Sequence, residues 1–222
     1  MLGGWALVFY FQFTNRKEGG LMDKIDLKKE LKKLYNPSAK EITVVEVPTM
    51  NFLLINGEGA PTSPQYSEAI ESLFNVAYTL KFMVKKSKGI DYVVMPLEGL
   101  WWVDDMTKFS ADRKGDWKWT AMIMQPQYVT EEDVNLAVEQ VKKKKNPAAL
   151  SKVRFESFKE GSAAQIMYVG PFSAEGPTIA KIHGHIQNSG HKLSGKHHEI
   201  YLNNPATTAP EKLKTVLRQP FN

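Results

Sequence analysis

In extended chain, successive side chains point to opposite faces. The stretch HHEIYL (197–202) therefore sends His197, Glu199 and Tyr201 to one side and His198, Ile200 and Leu202 to the other. The apolar side suits a core under helices, which leaves Glu199 and Tyr201 paired toward a cleft. A carboxylate beside a phenol in a partly apolar cleft combines a general base with a hydrogen-bond donor. The alternative is a strand whose exposed face is simply polar. The second candidate is LEGLWW (97–102), where the acidic residue Glu98 precedes Gly99 and two adjacent indoles follow. Trp101 and Trp102 face opposite ways if the chain is extended there, so one is packing and the other a cleft wall. Trp117 and Trp119, two apart, share a face of the next strand. Such a face is either core, the usual fate of large aromatics, or a stacking surface for a planar ligand.

Other chemistries find less support. The chain has five histidines. His183 and His185 diverge on a helix, and His197 and His198 diverge on a strand, so no metal site is expected. There is no G-x-S-x-G elbow for a serine nucleophile. Gly57-Glu58-Gly59 lacks the glycine spacing and the lysine of a phosphate cradle and reads as a tight turn. With no cysteine, disulfides and thiolate chemistry are excluded, which suits a reducing, cytoplasmic setting. No cofactor is expected.

The bulk properties are those of an ordinary globular chain of 222 residues, 42% hydrophobic and 24% charged, with a net charge of +5. The densest positive run, KKKK (142–145), ends a helical pattern and complements the helix dipole there. No aromatic-interleaved basic stripe accompanies it, so nucleic acid is not an expected partner. The apolar start MLGGWALVFYFQF (1–13) is shorter than the about 20 residues a membrane span needs, and it lacks the basic flank of a signal peptide. Neither a membrane partner nor a particular oligomeric state is signalled. Lys17-Glu18-Gly19 can be encoded as AAG-GAG-GGN, which contains a bacterial ribosome-binding sequence ahead of Met22. Residues 1–21 are thus expected to be a non-native extension or a disordered segment, and 22–222 a single domain.

The elements that must position the candidates follow from periodicity and punctuation. DLKKELKKLY (26–35) predicts a short helix ended by Asn36-Pro37. Residues 41–56 predict strand, ITVVEV then MNFLLIN, broken at Pro48. Ser63-Pro64 caps a helix whose apolar stripe runs from Tyr66 to Val84 and stops at Gly89. YVVMPL (92–97) predicts a strand that leads into LEGLWW, and WKWTAMIM (117–124) predicts the next. TEED at 130–133 starts a helix over 130–145. Strands follow at 154–159 and 163–169, a helix at 177–188, and strands at 197–202 and 212–217.

The order strand–helix–strand–strand thus occurs twice, over about 41–126 and 153–220. Local echoes support the duplication: FLLINGEG against QIMYVGPF, YVVMPLEG against HEIYLNNP, MIMQP against VLRQP. The expected fold class is α+β, with two such units forming a pseudo-two-fold antiparallel sheet, helices on one face and a ligand groove at the seam.

Five segments in this order, MPLEGLWW (95–102), KWTAMIMQP (118–126), MYVGPF (167–172), HHEIYLNNP (197–205) and APEKLKTVLRQP (209–220), resemble the GyrI-like small-molecule-binding family. This family includes effector domains of MerR- and AraC-type multidrug regulators and the gyrase-inhibitory protein. The resemblance is greatest to the stand-alone branch carrying GLWW, members of which open the cyclopropane rings of duocarmycin-type alkylating compounds. It implies a planar or amphipathic small-molecule ligand. It implies Glu199 as the residue that activates water and Tyr201 or Tyr168 as donor to the oxygen that gains charge. It implies Trp101 or Trp102, with Trp119, as the surface that stacks on the ligand, and Glu98 and Met95 beside it. The function expected from it is a detoxifying hydrolase. The alternatives are a drug-sequestering or effector-sensing protein without chemistry, and a gyrase inhibitor.

Overall fold

The fold is described from a computed structural model, over residues 24–109 and 111–222; residues 1–21 lie outside the described residues. Two single helical turns, α1 (Leu27–Glu30) and α2 (Lys32–Tyr35), open the chain where one short helix was expected. They are divided at Leu31, whose backbone leaves the helical region. Then follow β1 (Thr43–Glu58), α3 (Pro64–Lys88), β2 (Leu97–Trp102), β3 (Lys118–Gln125), α4 (Glu131–Lys144), β4 (Arg154–Val169), α5 (Gly176–Asn188), β5 (His197–Tyr201) and β6 (Lys214–Pro220). Strand–helix–strand–strand therefore occurs twice, as β1-α3-β2-β3 and β4-α5-β5-β6.

All strand pairs are antiparallel, and their order β1-β3-β2-β5-β6-β4 closes with β4 on β1. The expected pseudo-two-fold antiparallel sheet is thus rolled into a closed barrel. Each half contributes one sixteen-residue strand long enough to serve two neighbours. β1 runs unbroken through Pro48, where two segments were expected, and β4 runs unbroken through Gly161. The apparent breaks are a paired kink. Pro48 and Thr49 are both exposed, and Gly161, opposite Val47, takes a positive φ of 78°. A proline without an N–H and a glycine in left-handed geometry let both strands bend and change inward phase without losing register.

Strand β2 also departs from expectation. Pairing begins at Leu97 and not at Tyr92, because Pro96 has no N–H for a ladder. Tyr92 makes only an isolated parallel bridge to Ile25. LEGLWW is therefore the strand itself.

Helices α3 and α5 cover the outside. Ser63 accepts the Tyr66 N–H, Pro64 opens the first turn, and Gly89 closes α3 with a φ of 69°. Its buried stripe (Tyr66, Ala69, Leu73, Val76, Leu80, Val84) lies on β1 and β3. Ile182 and Ile186 of α5 pack on Ala164, Ile166 and Leu217. Helix α4, held by a Thr130–Asp133 capping box, packs beside α3. Among the described residues no helix is long and apolar enough to cross a membrane.

Candidate functional site

Alternation holds in β2 and β5 and separates two polar systems. Register places Gly99 opposite Glu199 and Trp101 opposite His197, so these four share a face with Tyr201. This face is turned to the helices: the Tyr66 ring of α3 lies 5.1 Å from Trp101 and 4.9 Å from Trp119. Leu100 opposite His198 and Glu98 opposite Ile200 form the other, inner face.

On the helix-facing side the Trp101 indole N–H donates to the Tyr201 hydroxyl at 3.0 Å, and that hydroxyl donates to Glu199 Oε2 at 2.8 Å. His197 Nε2 lies 3.2 Å from Glu199 Oε1. The carboxylate is thus held at both oxygens while its side chain keeps 13% exposure. Burial and then the Glu199 charge raise Tyr201 well above the ordinary phenol range, so its hydroxyl remains a donor at any working pH. The Trp101–Tyr201 contact requires the glycine of LEGLWW. A Cβ at Gly99 would stand 2.7 Å from the Trp101 indole nitrogen and 3.1 Å from the Tyr201 oxygen. Gly57 plays the same part under Trp119, whose ring would meet a Cβ in hard overlap.

Aromatic rings surround this cluster. Phe172 meets Tyr201 edge-on at 5.6 Å, Trp117 lies 5.6 Å from Trp101, Phe109 stacks on Trp117 at 4.6 Å, and Phe109 is 6.3 Å from His197. Of the residues singled out in the sequence, Glu199, Tyr201 and Trp101 come into direct contact. Trp119 joins them through Tyr66 and is fully buried. Tyr168 stands across β6 from Tyr201, both opposite Thr215, and donates to the Pro171 carbonyl at 3.1 Å. It also lines a surface hollow of about 280 Å³ between β4 and α5. A hollow of about 240 Å³ lies in the β2–β3 connection, lined by Val103, Asp104 and Arg113 among others. Neither hollow includes Glu199.

Three candidates lie elsewhere. Trp102 faces away from Trp101 and carries the Lys196 ammonium 3.4 Å over its ring. Met95 is core. Glu98 belongs to the inner face, where it is fully buried and accepts the Tyr35 hydroxyl at 2.8 Å. His198 reaches Glu98 through Nε2 at 3.0 Å and Glu160 through Nδ1 at 2.9 Å. Arg218 continues the chain to Glu160 at 3.0 Å, to Gln165 at 2.9 Å and to the Leu34 carbonyl at 2.8 Å. Burial alone would depress the His198 pKa, but the Glu160 charge and the hydrogen bonds that the ring donates to both carboxylates outweigh it and raise it to about 9. Burial would likewise raise Glu160, and the His198 and Arg218 charges instead bring it down to about 2. His198 is thus an imidazolium between two carboxylates.

Residues outside the sequence-derived set also reach the site. His197 was legible from alternation, since it shares a face with Glu199. Glu175, at the start of α5 and 4% exposed, carries no motif that would single it out. Burial and then the Glu199 charge push its carboxyl up to about 9. Tyr66 is one apolar-stripe residue among many in α3, yet its buried hydroxyl lies beside the site, next to Tyr201.

A duplicated strand–helix–strand–strand barrel with an acid–phenol–indole cluster under its helices defines a small-molecule-binding domain. The model of the GyrI-like small molecule binding domain matches residues 40–221, and the chain belongs to that family. Solved structures agree. The chain is 42% identical to an uncharacterized conserved protein from Listeria innocua, covering 90% of this chain and 100% of that one, with a TM-score of 0.83. A structure described as a hydrolase from Listeria innocua is 40% identical over the same shares, with a TM-score of 0.79. The C-terminal domain of EcmrR, 9% identical over 82% of this chain and 97% of that one, has a TM-score of 0.54 and shares the fold alone. No curated protein is matched.

Proposed function

We propose that this protein is a cytoplasmic hydrolase that opens the cyclopropane ring of planar, electrophilic small molecules, with Glu199 as the base that activates water. The observation that carries the reading is the Glu199 carboxylate itself. It is fixed through Tyr201 at 2.8 Å and His197 at 3.2 Å, in a setting walled by Trp101, Tyr66 and Phe172. An oriented, partly desolvated carboxylate next to aromatic rings has the two things such a reaction needs. It is a base for water and it adjoins a surface for a flat electrophile. The Listeria structures described as hydrolases, at 40% and 41% identity, support an enzymatic role over binding alone.

The test is incubation with a duocarmycin-type spirocyclopropyl cyclohexadienone, with ring-opened product followed by mass spectrometry. Wild-type protein is expected to turn it over. Glu199→Gln is expected to lose about 10²–10⁴ in kcat, the usual contribution of a general base, while retaining ligand affinity. Binding without turnover by the wild type would make the protein a sequestering domain. Absence of both would refute the small-molecule reading of this face.

A further inference from the structure

Opening a cyclopropyl dienone requires a proton at the former carbonyl oxygen, and the two phenols that the sequence offers as donors, Tyr201 and Tyr168, already have theirs engaged. The Tyr201 hydroxyl proton is committed to Glu199 Oε2 at 2.8 Å, while its oxygen already accepts the Trp101 N–H. The Tyr168 proton is committed to the Pro171 carbonyl. Burial raises the Tyr168 pKa further from that of a useful acid.

Glu175 differs from both. It follows the short turn Phe172–Ala174, whose Phe172 lies against the Tyr201 ring, and it occupies the N-cap of α5. It is 4% exposed, and its Oε1 is buried with no hydrogen-bond partner. Thr215, the residue opposite both Tyr201 and Tyr168, buries its hydroxyl beside this carboxyl. Two carboxyl groups confined to one apolar setting do not both ionise, because desolvation and like-charge repulsion each favour the neutral form of one. Glu199 holds two hydrogen-bonding neighbours and Glu175 has an orphaned oxygen, so Glu175 is the one that keeps its proton. The groups facing Glu175 are Glu199 from β5, Thr215 from β6, Tyr168 from β4 and Lys114 from the β2–β3 connection. Thr215 and Lys114 offset only part of the effect of burial and Glu199.

We propose that Glu175 is the general acid of this site, acting with Glu199 as general base; this rests on the hydrolase reading above. Glu199 removes one proton from water as the water oxygen bonds to the cyclopropane methylene. The bond from that methylene to the spiro carbon breaks, and its electron pair passes into the dienone. The former carbonyl oxygen takes the proton of Glu175 and becomes a phenol. The product is a hydroxyalkyl phenol. Glu199 is left protonated and Glu175 ionised, and transfer of one proton between them through solvent restores both. A carboxylic acid held neutral to donate at neutral pH is an established way for one site to carry acid and base together.

The experiment uses the full chain and the parent spirocyclopropyl cyclohexadienone. In the wild type, kcat is expected to hold level up to about pH 9 and then to fall tenfold per pH unit as Glu175 ionises. Glu175→Gln keeps the shape without the proton and is expected to lose about 10²–10⁴ in kcat, to change KM only by about threefold, and to lack the alkaline limb. Ring substituents that make the product phenol more acidic are expected to restore much of the variant's rate, because the former carbonyl oxygen then carries the developing negative charge without a donor. A merely structural role would not produce that recovery. A wild-type profile without an alkaline limb overturns the assignment, whether or not the variant folds. So does a Glu175→Gln protein with wild-type kcat. If the wild type binds the probe and never turns it over, the hydrolase reading fails first and the acid role with it.

Discussion

The inner-face network makes stability depend on pH in a way that can be worked out from His198. Its folded pKa of about 9 lies above the 6.5 of a free imidazole, so the folded state binds the proton more tightly than the unfolded one. The associated stability is present in full below pH 6.5 and is lost as pH rises toward 9. At 1.36 kcal/mol per pH unit, the rise from 6.5 to about 9 corresponds to about 3 kcal/mol. Nearly all of it is gone by about pH 9. His198 and its carboxylate partners are at most 1% exposed, so solvent screening removes little of this figure. On the acid side the sign reverses. Glu160, held at about 2 against an ordinary 4.5, contributes above pH 4.5, and that contribution is lost as pH falls through 2. The two figures describe one shared interaction and do not add. Urea unfolding at pH 6 and pH 9 is expected to differ by about 3 kcal/mol, against a total of about 5–15 for a typical domain. The same titration is read directly by NMR on the His198 ring of the wild-type protein, so the test does not depend on a variant that folds. A ring that titrates at or below 6.5, or a stability that stays level to pH 9, would refute the reasoning.

Two further outcomes are expected. Gly99→Ala drives a methyl to 2.7 Å from the Trp101 indole nitrogen, so it should part Trp101 from Tyr201. It is expected to cost about 1–3 kcal/mol by denaturation and to lower kcat alongside; an alanine variant with unchanged stability would mean the strand shifts to make room. Thr130→Ala removes the capping box of α4, which packs against α3. It is expected to cost about 1 kcal/mol in urea unfolding with kcat unchanged.

Much of this was legible in the sequence because local rules decide it. Ser63-Pro64 and Gly89 bound α3 as cap and stop chemistry dictates, and strand alternation alone put His197, Glu199 and Tyr201 on one face of β5. Other features depend on partners distant in the chain. The continuity of β1 through Pro48 depends on Gly161, more than a hundred residues away, bending in step with it. Closure of the barrel depends on the pairing of Thr43–Leu54 of β1 with Arg154–Gln165 of β4. The start of β2 at Leu97 was obscured because YVVMPL alternates like a strand, while Pro96 lacks the N–H that a ladder requires. Glu98 illustrates the same gap. Its place beside the ligand surface was an expectation, and only the arrival of Tyr35, His198, Glu160 and Arg218 from four other elements shows it as one member of a buried charge network. No spacing rule signals such a network.

The two polar systems are linked by register. Side chains alternate along a strand, so a slip of one residue between β2 and β5 would exchange the faces completely. With β2 kept in place, His198 would come under the helices and Glu199 would turn into the barrel, away from Trp101. The inner face makes that slip costly. Glu98, Glu160, His198 and Arg218 are at most 1% exposed and satisfy one another only in the observed pairing. A shifted register would leave buried charges unpaired, each costing several kcal/mol. An apolar inner face would pack about as well in either register and would distinguish them far less. The network therefore does more for the position of Glu199 than for total stability. Carboxylates buried behind β5 hold the strand in the one register that delivers Glu199, Tyr201 and Trp101 together in front of it.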